Sequence, residues 1–210
     1  MTKHNFISRC TLLLKSWKAL FVYAFGDEEK AVRQFEECIR LDPENGLNLR
    51  TLGKILIGKG RYVEGLEKVK EALKHLKSND KLVPEVHAYI GYCYSELDRL
   101  DESIHFYKKA IDSWVRDGEF KKRDLYYGLG RLYLRQKKYE EAIDTFKNGL
   151  EFEKKPALMH FRLGIAYYEV GDQASSLQHL VTALKLDQSL RNDETMKRLK
   201  KELECSIPVH

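Results

Sequence analysis

The stretch Leu129 to Gly149, LGRLYLRQKKYEEAIDTFKNG, decides the fold, because its pattern returns elsewhere in the chain. The pair Leu129-Gly130 is matched by Leu52-Gly53, Ile90-Gly91 and Leu163-Gly164. Three residues after each glycine stand Leu56, Tyr94, Tyr133 and Tyr167, and twelve after it the small Gly65, Ser103, Ala142 and Ser176. Sixteen after it come Val69, Tyr107, Phe146 and Leu180, and nineteen after it Ala72, Ala110, Gly149 and Ala183. A motif that recurs in this way marks stacked copies of one unit, an architecture whose usual task is to bind other macromolecules.

Apolar residues at offsets 12, 13, 16, 19 and 20 from the glycine form the stripe of a helix packed on one side. Each unit therefore reads as two amphipathic helices joined by a short turn. The turns fall at Gly26-Asp27, Gly60-Arg61, Asp98-Arg99, Lys137-Lys138 and Gly171-Asp172. A glycine inside a helix costs roughly 1 kcal/mol relative to alanine. Gly53, Gly91, Gly130 and Gly164 are expected to offset that cost by close helix contact, facing small residues such as Gly65 and Ala142.

This pattern resembles the tetratricopeptide repeat family, whose helix-turn-helix unit has a 34-residue period. The resemblance covers residues 12 to 190, with units at 12–45, 46–79, 84–117, 123–156 and 157–190 after an N-terminal extension, 1–11. Counting one period back from Gly53 reaches Ala19, with Ala31, Phe35, Cys38 and Ile39 at the matching offsets. That register explains the apolar run Leu12 to Phe25 better than a signal peptide or interfacial membrane helix, since Lys15 and Lys18 interrupt it and no cleavage site follows. The Leu41-Asp42-Pro43-Glu44-Asn45 segment looks like the family's passage between repeats, and Pro84 and Pro156 punctuate later junctions. Extra residues near Asp80–Val83 and Gly118–Lys122 are expected to lengthen second helices or loops. The family's tryptophan is replaced by Leu49, His87, Tyr126 and His160. Residues 191–210 read as a capping helix and tail, with a thin stripe of Met196, Leu199 and Leu203 and i, i+4 pairs Asp193–Lys197 and Glu194–Arg198. The expected fold is thus an all-α, right-handed α-solenoid of five helix pairs plus a cap.

Among 210 residues, 37 basic and 32 acidic side chains give a net charge of +5, interspersed rather than gathered into the basic face of a nucleic-acid binder. Cys10, Cys38, Cys93 and Cys205 are far apart and form no C-x-x-C pair, which argues against a zinc site or disulfide framework and for a reducing, cytoplasmic setting. The longest run free of Lys, Arg, Asp and Glu, Gln173 to Leu184, is too short to span a membrane.

The chain carries no nucleophile elbow, P-loop, dinucleotide fingerprint or metal-ligand spacing, so no catalytic, cofactor or metal residues are assigned and no enzyme is expected. The family resemblance implies a concave surface lined by first helices. It projects there Leu13, Ser16, Leu20 and Tyr23; Leu47, Arg50, Lys54 and Ile57; and Glu85, Ala88, Tyr92 and Ser95. It adds Asp124, Tyr127, Arg131 and Leu134, then Leu158, Phe161, Ile165 and Tyr168. Arg50, Lys54, Tyr92, Tyr127, Arg131, Leu134, Phe161, Ile165 and Tyr168 are the candidate peptide-binding residues, since aromatics beside arginine are the composition of binding hot spots. The carboxylate clamp of chaperone-binding members is not supplied, because Arg50 and Lys54 are followed by Tyr89 and then by Asp124 and Gly128. The expected function is a non-enzymatic module or scaffold for a protein or peptide partner. A self-assembling scaffold is the alternative. A weak RNA or membrane-surface binder, acting through Arg191, Lys197, Arg198, Lys200 and Lys201 or the first helix, is the third reading.

Overall fold

The computed structural model describes residues 3–114, 121–152 and 156–206, with side-chain detail from Thr11 to Leu203. Every regular element among them is helical. Helices α1 (Lys3–Ala24), α2 (Glu28–Leu41), α3 (Gly46–Gly58), α4 (Tyr62–His75), α5 (Val83–Glu96) and α6 (Leu100–Asp112) belong to one compact unit, Met1–Gly118. A second unit, Glu119–His210, holds α7 (Lys122–Arg135), α8 (Tyr139–Leu150), α9 (Ala157–Glu169), α10 (Gln173–Leu186), a 3-10 turn (Gln188–Asn192) and α11 (Glu194–Ser206). Consecutive helices pair as α1 with α2, α3 with α4, α5 with α6, α7 with α8 and α9 with α10. The first helix runs from Lys3, so residues 3–11 of the expected N-terminal extension are helical and continuous with the first helix of the first pair.

The glycines explain the pairing, though not against the partners expected. A Cβ on Gly130 would sit 2.5 Å from Phe146 Cε1, and one on Gly164 2.6 Å from Leu180 Cδ2. The same construction puts Gly53 against Val69 and Gly91 against Tyr107. Each of these four glycines thus faces the side chain sixteen positions on, rather than chiefly Gly65 or Ala142. The small residues at offset twelve close the contact from the other side. A Cβ on Gly65 would meet Ile57 Cγ1 at 2.6 Å, while Ser103 Oγ and Ser176 Oγ donate to the carbonyls of Gly91 and Gly164 at 2.6 and 2.8 Å. A serine here tightens the crossing with a buried hydrogen bond.

All five turns have their first residue in the left-handed region: Gly26, Gly60 and Gly171 at φ +85°, +75° and +83°, Asp98 and Lys137 at +58° and +57°. Asn45 accepts from the Asn48 amide at 3.1 Å and donates to Asp42, tying the passage between α2 and α3 into an N-cap. The addition near Asp80–Val83 lengthens a loop and not a helix, since α4 ends at His75 and the Asp80 carboxylate accepts from the Leu82 amide at 2.9 Å. Of the other addition, Gly118, Glu119 and Phe120 lie outside the described residues.

At the C-terminal end, Met196, Leu199 and Leu203 of α11 join Ala157, Phe161, Leu180 and Ala183 in one buried cluster, with Leu184 packed against it. The cap reading is met, but its charge pairs differ. Asp193 accepts from the Met196 amide at 3.1 Å, so it caps the helix instead of pairing with Lys197, whose ammonium lies 2.7 Å from Glu194. In the same repeat, His160 Nδ1 and His179 Nδ1 are 2.8 Å apart, the two rings stack at 5.0 Å, and Tyr167 stacks on His179 at 5.4 Å. One ring must donate and the other accept, so the pair is suited to two neutral imidazoles. Burial lowers both below the ordinary 6.5, and for His179 the neighbouring His160 and the Lys147 ammonium on α8 add to the effect.

Three outcomes follow. Gly130→Ala should gain up to about 1 kcal/mol of helix propensity but lose more to overpacking, about 1–3 kcal/mol, for a net fall in denaturation midpoint. Gly58→Ala, where a Cβ meets nothing within 4 Å, should be neutral or stabilising in the same assay. Because the unfolded chain binds more protons once pH drops beneath 6.5, the stability from His160 and His179 is complete above that value and declines below it. Melting temperature should fall as pH drops from about 6.5 to about 5.5, and His179→Phe should reduce the fall, leaving the slopes from His160 and His87, both lowered by burial.

Candidate functional site

In the first unit the inner positions of α1, α3 and α5 divide sharply. Leu13 and Leu20 on α1, Leu47 on α3 and Tyr92 on α5 stay exposed, and Lys54 is half-buried. Tyr92 stands edge-on to Tyr62 with ring centroids 6.0 Å apart. Arg50, assigned to the groove from sequence, is buried, and its guanidinium forms a hydrogen-bonded ion pair with the buried Glu85 carboxylate of α5. Ile57 and Ala88 are buried as well. Arg50 and Glu85 occupy inner positions of successive repeats with opposite charge, which was a visible signal that they would neutralise one another. The pair ties α3 to α5, and removing either partner would strand the other charge in the interior. Arg50 therefore holds the scaffold and offers little to a ligand.

The second unit supplies a more open surface. Tyr127 is half-buried with its ring 6.3 Å from Phe146, and the exposed Arg131 guanidinium lies 5.8 Å from the Tyr127 ring centroid. Leu134, one turn on, is half-buried. Beside Tyr127 opens a cleft of about 630 Å³, bounded by Arg123 and Asp124 of α7, Pro156 to Met159 at the start of α9, and Leu186 and Asp187 at the end of α10. Arg123 and Asp124 form an ion pair at 3.1 Å on its rim. Such a volume falls within the range of pockets that hold ligands or anchor side chains. Leu158, Leu186 and Asp187 belong to it, and of these the sequence reading had included only Leu158 in its projected surface.

The α9 residues go elsewhere. Phe161 is buried in the cluster beneath α11, and Ile165 and Tyr168 pack against that cluster. The Tyr168 hydroxyl donates to the Glu202 carboxylate of α11, whose presence raises the phenol above its ordinary pKa. The reason is that α9 and α10 end the series of pairs, so their apolar side chains are covered by the cap. Tyr127, Arg131 and Leu134 share α7, whereas Phe161, Ile165 and Tyr168 are wholly or partly under α11. Burial pushes the Cys93 thiol up to about 12, and Cys38 is buried too, so both act as packing groups. Among the described residues no group of three or more His, Cys, Asp or Glu is placed to hold a metal ion, and no helix is long and apolar enough to cross a membrane.

The arrangement of glycine-packed helix pairs matches known proteins. Models described as tetratricopeptide repeat match residues 21–45, 82–155 and 127–190. The BBSome complex member BBS4 of Bos taurus is 27% identical over 171 residues, 81% of this chain and 31% of its own length. The general transcriptional corepressor trfA of Dictyostelium discoideum is 28% identical over 141 residues, 66% of this chain and 10% of its own. The chain thus spans a third or less of these relatives. Among solved structures, MamA protein superposes with TM-score 0.74 at 20% identity, covering 88% of this chain and 96% of that one. YrrB, described as a TPR protein with an unusual peptide-binding site, superposes with TM-score 0.71 at 15% identity, covering 88% of both. The structural likenesses establish the fold, the sequence models cover most of the repeats, and together they make this chain a member of the tetratricopeptide repeat family.

Proposed function

We propose that the chain is a non-enzymatic protein-interaction module that binds a peptide segment on the inner face of its first helices, with Tyr127 and Arg131 as the principal contacts. The observation that carries this is Tyr127, which lines the 630 Å³ cleft together with Leu158 and Leu186 and has the exposed Arg131 guanidinium 5.8 Å from its ring centroid. A segment with an apolar anchor for the cleft and an acidic residue for Arg131 fits this chemistry. Tyr92, Leu47 and Lys54 offer a second inner surface within the first unit. The family supports the reading, since its members serve as protein-interaction scaffolds. So do the peptide-binding site named for YrrB and the complex membership named for BBS4. Buried, free Cys38 and Cys93 favour a reducing compartment, and we place the protein in the cytoplasm.

Affinity capture from the native source with wild type and with Tyr127→Ala plus Arg131→Ala tests the assignment. The double variant should lose at least about 2 kcal/mol of binding. Its far-UV circular dichroism should be unchanged and its melting temperature should shift by a few degrees at most, because Arg131 is exposed and Tyr127 only half-buried. Full capture by a folded double variant would remove α7 from the binding surface.

A further inference from the structure

The first helix carries an apolar face that nothing in the described residues covers. Leu14, Trp17, Phe21 and Phe25 are 70%, 74%, 57% and 75% exposed, and the Phe21 and Phe25 rings lie 4.4 Å apart. They recur at intervals of three and four and so form one seam along the helix. Trp17 lies one turn from the exposed Leu13 and Leu20, so the seam adjoins those positions along one side of α1.

In the other first helices the corresponding positions are buried. Taking Ala19 as the equivalent of the helical glycines, Leu14 lies five residues before it and Phe21 two after. In α3 these positions are Asn48 and Ile55, in α5 Val86 and Cys93, and in α9 Met159 and Ala166, every one of them buried. In each case the helix packs against the second helix of the preceding pair: α3 on α2, α5 on α4, α9 on α8. Ile55 shares a cluster with Val32 and Phe35 of α2, and a Cβ on Gly149 of α8 would lie 2.8 Å from Met159. In α1 Phe21 is larger than the Ile55, Cys93 and Ala166 it corresponds to, and among the described residues no helix lies against it or Leu14. Charge narrows the occupant further. Residues 3–24 contain Lys3, Arg9, Lys15 and Lys18 and no acidic residue, and Lys15 is paired with Glu37 of α2 at 2.6 Å.

We propose that this face is a docking site for an amphipathic helix of a partner protein, apolar on one stripe and acidic along its flanks, which packs on α1 as a second helix packs on the first helix that follows it. A second α1 would bring like charge to the seam, and an anionic membrane surface would need no such repeat register. This surface is distinct from the inner face of α7, so its failure would leave the peptide-groove reading standing.

Trp17 reports on the site once the second tryptophan is removed by Trp114→Phe. The probes are a peptide of about 20 residues, long enough to hold a helix, with leucine and phenylalanine on one stripe and glutamate elsewhere, and its lysine counterpart. Vesicles of phosphatidylserine and of phosphatidylcholine complete the set. The acidic peptide should shift Trp17 emission to the blue saturably, and the lysine peptide should bind at least about tenfold more weakly. Leu14→Glu with Phe21→Glu should weaken the acidic peptide by at least about tenfold with unchanged circular dichroism, since both residues are exposed. The proposal is overturned by the absence of a saturable shift, by equal binding of both peptides, or by a shift on phosphatidylserine vesicles alone. Sedimentation showing a dimer that the glutamate variant abolishes, with no response to peptide, would make a second copy the occupant and would equally overturn it.

Discussion

The close crossing of the two helices in each pair is the constraint on which the rest depends. Where Phe146 lies over Gly130, or Leu180 over Gly164, the approach leaves no room for even one methyl group. Ser103 and Ser176 then reach across to the glycine carbonyls, so a small polar side chain strengthens a contact that a larger one would break. With the pair held so closely, the turn between its helices has little freedom. Its first residue takes a left-handed conformation even where that residue is Asp98 or Lys137.

A repeat built this way uses its apolar stripes for stacking and leaves the inner faces of the first helices as the chief surface on which sequence can vary. Not every inner residue is then available. Arg50 and Glu85 neutralise each other in the interior of the first unit, converting two candidate contacts into a brace between α3 and α5. Tyr127 and Arg131 share a surface on α7, and the cleft beside Tyr127 is bounded by helix ends at Pro156 and Leu186.

Stacking also leaves each series of pairs with exposed ends, and the described ends are treated differently. After α10, α11 folds back and buries Phe161 with Met196, Leu199 and Leu203, leaving Lys197, Lys200 and Lys201 in water. At α1, Leu14, Trp17, Phe21 and Phe25 remain in solvent. Burial of side chains of this size is among the strongest sources of association energy.

The helix pairs, their turns and the small and large positions were legible in the sequence, because each rests on contacts between residues fewer than about twenty positions apart within one repeating unit; the cap was legible from its own thin apolar stripe of Met196, Leu199 and Leu203. The glycine at the crossing and the residue sixteen positions later are read directly from the period; which of the facing side chains touches the glycine was not, since that depends on how the helices are rotated. Only the tertiary structure paired Arg50 with Glu85 and drew Phe161, Ile165 and Tyr168 under α11. Those contacts join residues in different elements, and a projection of each first helix onto a common face treats them as equivalent. Periodicity describes a unit in the middle of an array, whereas the environment of a charged or terminal residue is set by whichever neighbour the fold brings against it.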